Sequence, residues 1–317
     1  MASPLEAQPA AALDAAILAA AAAEDPHLSE ISLELPRRGG KRLRPRLLAL
    51  SAEFGSGADP RSVVTVGAAI ELLHVGSLCH DDIMDGAATR RGAASVNALW
   101  GNAGAVIGGT HLLARAMALL APLPRPVVSA VAEAVFVVCT GQLRETEHVF
   151  DLALDEDEHL RIIAMKTATL FELPCQLGGL LMHADPAHVE ALRRYGNDLG
   201  IAFQLTDDLL DLVGDAGTLG KPIGTDLRQG VFSHAVLVAA RRRPHGRLMD
   251  LLRTADMTAQ EAAEAVALVR ETGAMDTTAD LARWYADRAA GTLAALPERP
   301  ARGALLELTG DVVARTR

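Results

Sequence analysis

The chain predicts an all-α protein, and three observations carry that expectation. Half of its 317 residues are hydrophobic yet only 3% are aromatic, so Ala and Leu do the packing, and both favour helix over strand. Apolar residues recur at helical spacing, as in Val64, Ala68, Leu72 and Val75. No stretch alternates apolar and polar residues as a half-buried strand would, and no solenoid-length period repeats.

Taken in order, residues 1–30 are expected to form a loosely packed N-terminal helix. Further helices are expected over 60–80, 96–120, 127–152, 157–182, 186–213, 232–242, 259–272, 277–293 and 302–315. Prolines at 122, 124 and 126 make one break; the glycine-rich run 214–224 and Arg243-Pro244-His245 make two more. No long linker divides the chain, so residues 1–317 read as a single domain. The loops at Gly39-Gly40 and 214–224 mix glycine with Lys or Arg and are the natural carriers of function.

A formal charge of −10 with no basic arm argues against a nucleic-acid partner, which demands concentrated Lys and Arg. Cys79, Cys139 and Cys175 are odd in number and widely spaced, so neither a disulfide framework nor a zinc pattern emerges, and a reducing, cytoplasmic location is the plain expectation. Residues 1–36 hold no Lys or Arg and so nothing like the basic start of a secretory leader. No uninterrupted apolar run looks long enough for a transmembrane segment.

Chemistry concentrates in two acidic motifs. In His80-Asp81-Asp82-Ile83-Met84-Asp85, helical geometry puts Asp81 and Asp85 one turn apart on a common face, with Asp82 beside them. Alone, this suits a solvated acidic helix end as well as a metal site. The spacing recurs in Asp207-Asp208-Leu209-Leu210-Asp211, now inside a strongly apolar run, where carboxylates are costly unless paired or metal-bound. Carboxylates without Cys or His suit a hard ion, so Mg2+ is the expected metal, completing its shell with phosphate oxygens. Matching cations stand in Gly39-Gly40-Lys41-Arg42-Leu43-Arg44 and in Arg90-Arg91-Gly92. Of 30 basic residues 27 are Arg, and the three lysines are Lys41, Lys166 and Lys221; such survivors suggest places that need a compact ammonium.

In this order the motifs resemble those of the trans-isoprenyl (polyprenyl) diphosphate synthases over about residues 37–235: Gly39–Arg44, Asp81–Asp85, Arg90-Arg91-Gly92, Gly141-Gln142, Lys166-Thr167, Phe203-Gln204 with Asp207–Asp211, then Gly220-Lys221 with Gly224 and Asp226. His74 also matches the family's histidine ahead of the first acidic motif, and all three lysines fall where the family uses Lys to bind diphosphate. The resemblance implies an isoprenoid-synthase helical bundle around a central cavity, acting as a homodimer. It implies head-to-tail condensation of an allylic diphosphate with isopentenyl diphosphate. Mg2+, three ions when the allylic diphosphate is bound, would be held by Asp81, Asp85 and Asp207, with Asp82, Asp208 and Asp211 as further ligands or supports. Lys166, Thr167, Gln204 and Lys221 would steady the allylic group; Lys41, Arg44, His74, Arg90 and Arg91 would hold isopentenyl diphosphate.

Two positions depart from the family. Val231 stands where a diphosphate-binding Lys is common, and Thr110 where many members carry Asp. Short-chain members commonly place bulky aromatics four or five residues before the first motif; here those residues are Ser77 and Gly76, and Leu73 lies deeper on the same helix. Both small residues leave a product channel open, which points to a product longer than C15, C30 or beyond; the alternative is that Gly76 and Ser77 are small for helix packing while another helix supplies the channel floor. The competing readings are a short-chain synthase giving C15–C20, a terpene cyclase, in which Lys41, Arg44, His74 and Arg91 would be idle, and a non-catalytic subunit of a heteromeric synthase.

Overall fold

The structure is a computed structural model and describes residues 10–57, 60–213 and 224–314. Lys221, with Gly220 and most of the loop 214–224, lies outside the described residues. The chain divides into two compact units, each treated by itself. The first draws on residues up to Glu133 with Leu173–Arg193 and Ala295–Leu305; the second on Ala134–Glu172, Arg194–Ala294 and residues from Leu306 onward.

In the first unit, α1 (Ala10–Ala21), α2 (Pro26–Arg37) and α3 (Leu43–Ala52) lead into the long α4 (Pro60–Met84) and α5 (Val96–Leu120). Two short strands, β1 (Thr89–Arg90) and β2 (Ala93–Ala94), form an antiparallel hairpin between them, a feature too short to show as alternation. The N-terminal helix is not loosely packed as expected: Ile17 and Ala21 are fully buried and α1 lies against α4. Asp25 caps α2 by accepting from the Leu28 N–H at 2.8 Å, and Pro26 opens the helix where its missing N–H costs nothing. The densest contact of the unit is α4 against α5. Glycine lets the two backbones approach: a Cβ on Gly76 would sit 3.0 Å from the Gly109 carbonyl oxygen, and one on Gly109 would sit 2.6 Å from His80 Nε2.

The second unit contains α7 (Glu156–Ile163), α10 (Thr225–Arg228), α11 (His234–Arg242), α12 (Arg247–Leu252), α13 (Ala259–Glu271) and α14 (Ala274–Thr292). Its core gathers Leu209, Leu212, Phe232, Val236, Leu251 and Val269. Thr258 and Glu261 form a reciprocal cap that starts α13. Four helices give residues to both units: α6 (Arg125–Glu147), α8 (Thr169–Leu181), α9 (Pro186–Val213) and α15 (Pro300–Ala314). The expected helix 157–182 is interrupted by a π-helical turn, Ala164–Ala168, between α7 and α8. The expected end of α6 at 152 falls back to Glu147, because Phe150 adopts a left-handed φ of 61° and donates its N–H to the Gly230 carbonyl at 2.8 Å.

The expectation that no segment is long and apolar enough to cross a bilayer does not hold by length and composition. Arg61–Met84, Val96–Leu120 and Arg125–Glu147 contain windows with mean hydropathy of 1.6, 1.4 and 1.6. Isolated charges such as Glu71 dilute these helices without interrupting them. Of the three, Arg61–Met84 spends most of its apolar surface inside the fold, with 67% of its window buried.

Candidate active site

α4 carries the first acidic motif at its C-terminal end. Asp81 and Asp82 lie in the last turn, and Asp85 follows directly, its N–H donating to the Asp81 carbonyl at 2.8 Å. Gly86, at φ 58°, closes the helix in the left-handed conformation that glycine supplies. The three carboxylates are not equivalent. Asp82 is fully buried, and its Oδ1 accepts from Arg90 Nε at 2.8 Å, while its Oδ2 is buried with no hydrogen-bond partner. Asp81 is half-buried and Asp85 exposed. An orphaned buried carboxylate oxygen beside two further carboxylates is what a cation would satisfy. Below them the Cys79 thiol is pushed up to about 12 by burial and by Asp82 and Asp81, so it stays protonated.

The same unit assembles a cluster of cations. Burial, together with Arg44, Arg91, Arg90 and Arg42, holds His74 well below its usual range, so the ring is neutral near pH 7. Its Nδ1 is buried without a hydrogen-bond partner. Burial lowers Arg44 to about 10 against the pull of Glu71, which leaves it charged. Arg42 is spent on structure: it donates to Glu71 at 2.7 Å, to Asp14 at 2.9 Å and to the Pro36 carbonyl at 3.2 Å. Arg90 is likewise engaged, on Asp82, which corrects its reading as a free phosphate ligand: its fork is already anchored on a buried carboxylate. Lys41 is exposed, and Arg91 donates to the Gly39 carbonyl. The structure thus brings Arg44, His74, Arg90 and Arg91 together and leaves Lys41 on the rim.

In the second unit α9 carries the second motif. Asp207 is exposed, and Asp208 and Asp211 are half-buried. Gln204 links three residues: its Oε1 accepts from Thr167 Oγ1 at 2.8 Å, and its Nε2 donates to Asp208 Oδ1 at 2.7 Å. Asp208 is held well above the carboxylate range, chiefly by burial against the opposing Gln204 hydrogen bond, and then by Asp226, Asp207 and Glu145. Lys166 donates to Glu145 on α6. Glu145 was not anticipated; its only signal is a position one turn after Gly141 on the same helix face. Gly141 itself packs under the π-turn, where a Cβ would stand 2.6 Å from the Lys166 backbone nitrogen, and Gly200 packs against Ala168 from α9. π-turns recur at functional sites, and this one presents Lys166 and Thr167.

Both motifs therefore follow one plan: the second carboxylate is gripped by a neighbouring side chain, and the first is the more solvent-exposed of the two. Among the described residues no three His, Cys, Asp or Glu side chains gather as a closed metal site. One or two carboxylates per motif with the shell completed by phosphate and water is the coordination Mg2+ favours, so the donor set fits.

The chain-length residues separate. Ser77 is half-buried and donates to the His74 carbonyl at 2.9 Å, and Leu73 is buried. Gly76 is corrected as a channel residue: its missing side chain is used by the α4–α5 contact, against Gly109 and Leu113 Cδ2 at 3.2 Å. Gly76→Leu is expected to destabilise the fold by about 1–3 kcal/mol through overpacking. A denaturation midpoint checks this, and an unchanged midpoint contradicts it. Of the two departures, Thr110 is exposed on α5, and Val231 is half-buried with its N–H on the Asp226 carbonyl at 3.0 Å.

A helical protein with two carboxylate motifs and a separate arginine cluster around a neutral histidine defines the class of metal-dependent diphosphate enzymes. The comparisons narrow it. The polyprenyl synthetase family model matches residues 25–269. The nonaprenyl diphosphate synthase of Mycobacterium tuberculosis (strain ATCC 25618 / H37Rv) is 38% identical, over 92% of this chain and 88% of that one. The octaprenyl diphosphate synthase of Escherichia coli (strain K12) is 35% identical over 99% and 98%. A crystal structure of a polyprenyl synthase from Caulobacter crescentus CB15, complexed with calcium and isoprenyl diphosphate, is similar at TM-score 0.91 and 34% identity, covering 97% of this chain and 94% of that one. The chain belongs to the polyprenyl synthetase family. Its members are prenyltransferases that bind isopentenyl and allylic diphosphates and use divalent metal in doing so.

Proposed function

We propose that the protein is a long-chain trans-polyprenyl diphosphate synthase whose product exceeds C15 and reaches C30 or beyond. The observation that carries this reading is the pair of arginines, Arg44 and Arg91, gathered at the buried His74. A second diphosphate site of this kind is needed by a synthase and idle in a cyclase. The nonaprenyl and octaprenyl synthases among the relatives support the long product.

In this reading Asp81 and Asp85 of the first motif, and Asp207 of the second, would hold Mg2+, three ions in all when the allylic diphosphate is bound. When bound, the metal supplies Lewis acidity to the departing diphosphate oxygens. Asp82 and Asp208, gripped by Arg90 and Gln204, fix the motifs, and Asp211 supports the second. Lys166 releases Glu145 to take a phosphate oxygen, with Thr167, Gln204 and Lys221 steadying the same group. Arg44, Arg91, Lys41 and the neutral His74 hold isopentenyl diphosphate, His74 through Nδ1. The allylic C–O bond breaks with its electron pair leaving on diphosphate. The isopentenyl double bond then forms the new C–C bond, and a proton passes to the released diphosphate.

The exposed Leu99, Val106, Ile107 and Met117 of α5 support a homodimer that covers them. The free cysteines support a cytoplasmic setting. The test of function is consumption of isopentenyl diphosphate with allylic primers of several lengths, read by product mass. Allylic turnover independent of isopentenyl diphosphate would mark a cyclase, and failure with every primer a non-catalytic subunit. Ser77→Phe is expected to shorten the product; an unchanged distribution rejects a channel beside Ser77.

A further inference from the structure

We propose that Arg38, outside the substrate-binding set, is the positioning residue that aims Arg91 at isopentenyl diphosphate; this rests on the isopentenyl site assigned above. The hairpin register pairs Thr89 with Ala94 and Arg90 with Ala93, which leaves Arg91 and Gly92 as a two-residue turn. Their φ angles of 53° and 75° are both positive, the signature of a type I′ turn. Gly92 takes this conformation without cost. Arg91 does not: its Cβ is crowded there, and Asn, Asp or Gly normally fill the position. Such a turn persists when contacts outside it over-determine the backbone.

Two bonds running in opposite directions supply that support. Arg38 Nη1 donates to the Arg90 carbonyl at 3.1 Å, and Arg91 Nη1 donates to the Gly39 carbonyl. The Arg90 carbonyl belongs to the peptide plane directly before Arg91, so holding it sets the φ from which the Arg91 side chain departs. The guanidinium then lies over Gly40, where a Cβ would stand 3.3 Å from its carbon. Arg38 is fixed in turn by Glu34, one helical turn back on α2, at 2.6 Å. Both terminal nitrogens of Arg38 thus have protein partners. Its role is to lock the Gly39-Gly40 loop and the Arg91 turn as one frame.

The test compares steady-state kinetics of the wild type with Arg38→Ala, Arg38→Lys, Arg91→Ala and the double Ala variant. Arg38→Ala is expected to raise KM for isopentenyl diphosphate about tenfold, the loss of one well-placed hydrogen bond. KM for the allylic primer and the melting temperature should stay as in the wild type. Arg38→Lys should not rescue, because one ammonium cannot span the Arg90 carbonyl and Glu34 as a planar fork does. With Arg91 already Ala, adding Arg38→Ala should change KM no further. If Arg91→Ala raises KM while Arg38→Ala matches wild type, the positioning role is wrong and the site assignment stands. If Arg91→Ala leaves that KM unchanged, the site assignment itself fails. Rescue by Lys, additive effects, or a rise in both KM values with a lowered melting temperature also overturns the proposal.

Discussion

Asp81→Ala and Asp207→Ala each lose on the order of 10²–10³ in turnover while remaining folded. The size follows from the work the carboxylates do. Separating an allylic carbon from diphosphate builds charge on the departing oxygens, and removing one group that holds the counter-cation costs a few kcal/mol of transition-state stabilisation. Fold retention follows from position: Asp207 is exposed and Asp81 half-buried, so truncating either empties no space in the core. Removing repulsion between adjacent carboxylates even favours the folded chain. Steady-state incorporation of isopentenyl diphosphate, beside a thermal melt, measures both quantities. Wild-type turnover in either variant would contradict the metal assignment.

Arg42→Ala has the largest expected effect on stability, about 3–5 kcal/mol, because it removes the ion-pair partner of the buried Glu71 carboxylate. Arg42 and Glu71 are paired at 2.7 Å with side chains 12% and 4% exposed, so water cannot replace the lost partner. The bonds from Arg42 to Asp14 and to the Pro36 carbonyl go as well, and with them the tie between α1, the end of α2, and α4. Chemical denaturation checks the value. Adding Glu71→Gln should recover part of the loss, since the buried carboxylate that lost its bonded partner then becomes neutral. A loss below about 1 kcal/mol would place the pair with surface ion pairs, contrary to its burial. The contrast with Arg38 is instructive: two arginines four residues apart divide between holding the fold and holding the site.

The sequence alone showed chiefly what is local. Helix spacing announced α4, α5 and α9, and the repeated Asp spacing announced both motifs within single helices. The arginine-rich background made Lys41 and Lys166 conspicuous. What stayed hidden depends on residues distant in the chain. Arg38 meets Arg90, Arg42 meets Glu71, and Lys166 meets Glu145 only after folding, and nothing local distinguishes an arginine that grips a carboxylate from one offered to phosphate. Gly76 was ambiguous for a related reason. A small residue beneath a motif can open a channel or admit a neighbouring helix, and only the position of Gly109 decides between them. The turn at Arg91-Gly92 lacks the Asn-Gly or Asp-Gly pair that usually marks a hairpin. The π-turn at Lys166 depends on Gly141 and Gly200 from other helices. The acidic motifs thus identify the chemistry, while Arg90 and Gln204, close by in the sequence, each engage one carboxylate of a motif.

The central claim is that this family member builds a long prenyl chain from two diphosphate substrates. Incubating the protein with isopentenyl diphosphate, farnesyl diphosphate and Mg2+, then weighing the products, tests it most directly. Consumption of isopentenyl diphosphate and a product of C30 or longer are expected. A product ending at C20 or below, or no consumption of isopentenyl diphosphate, would contradict it.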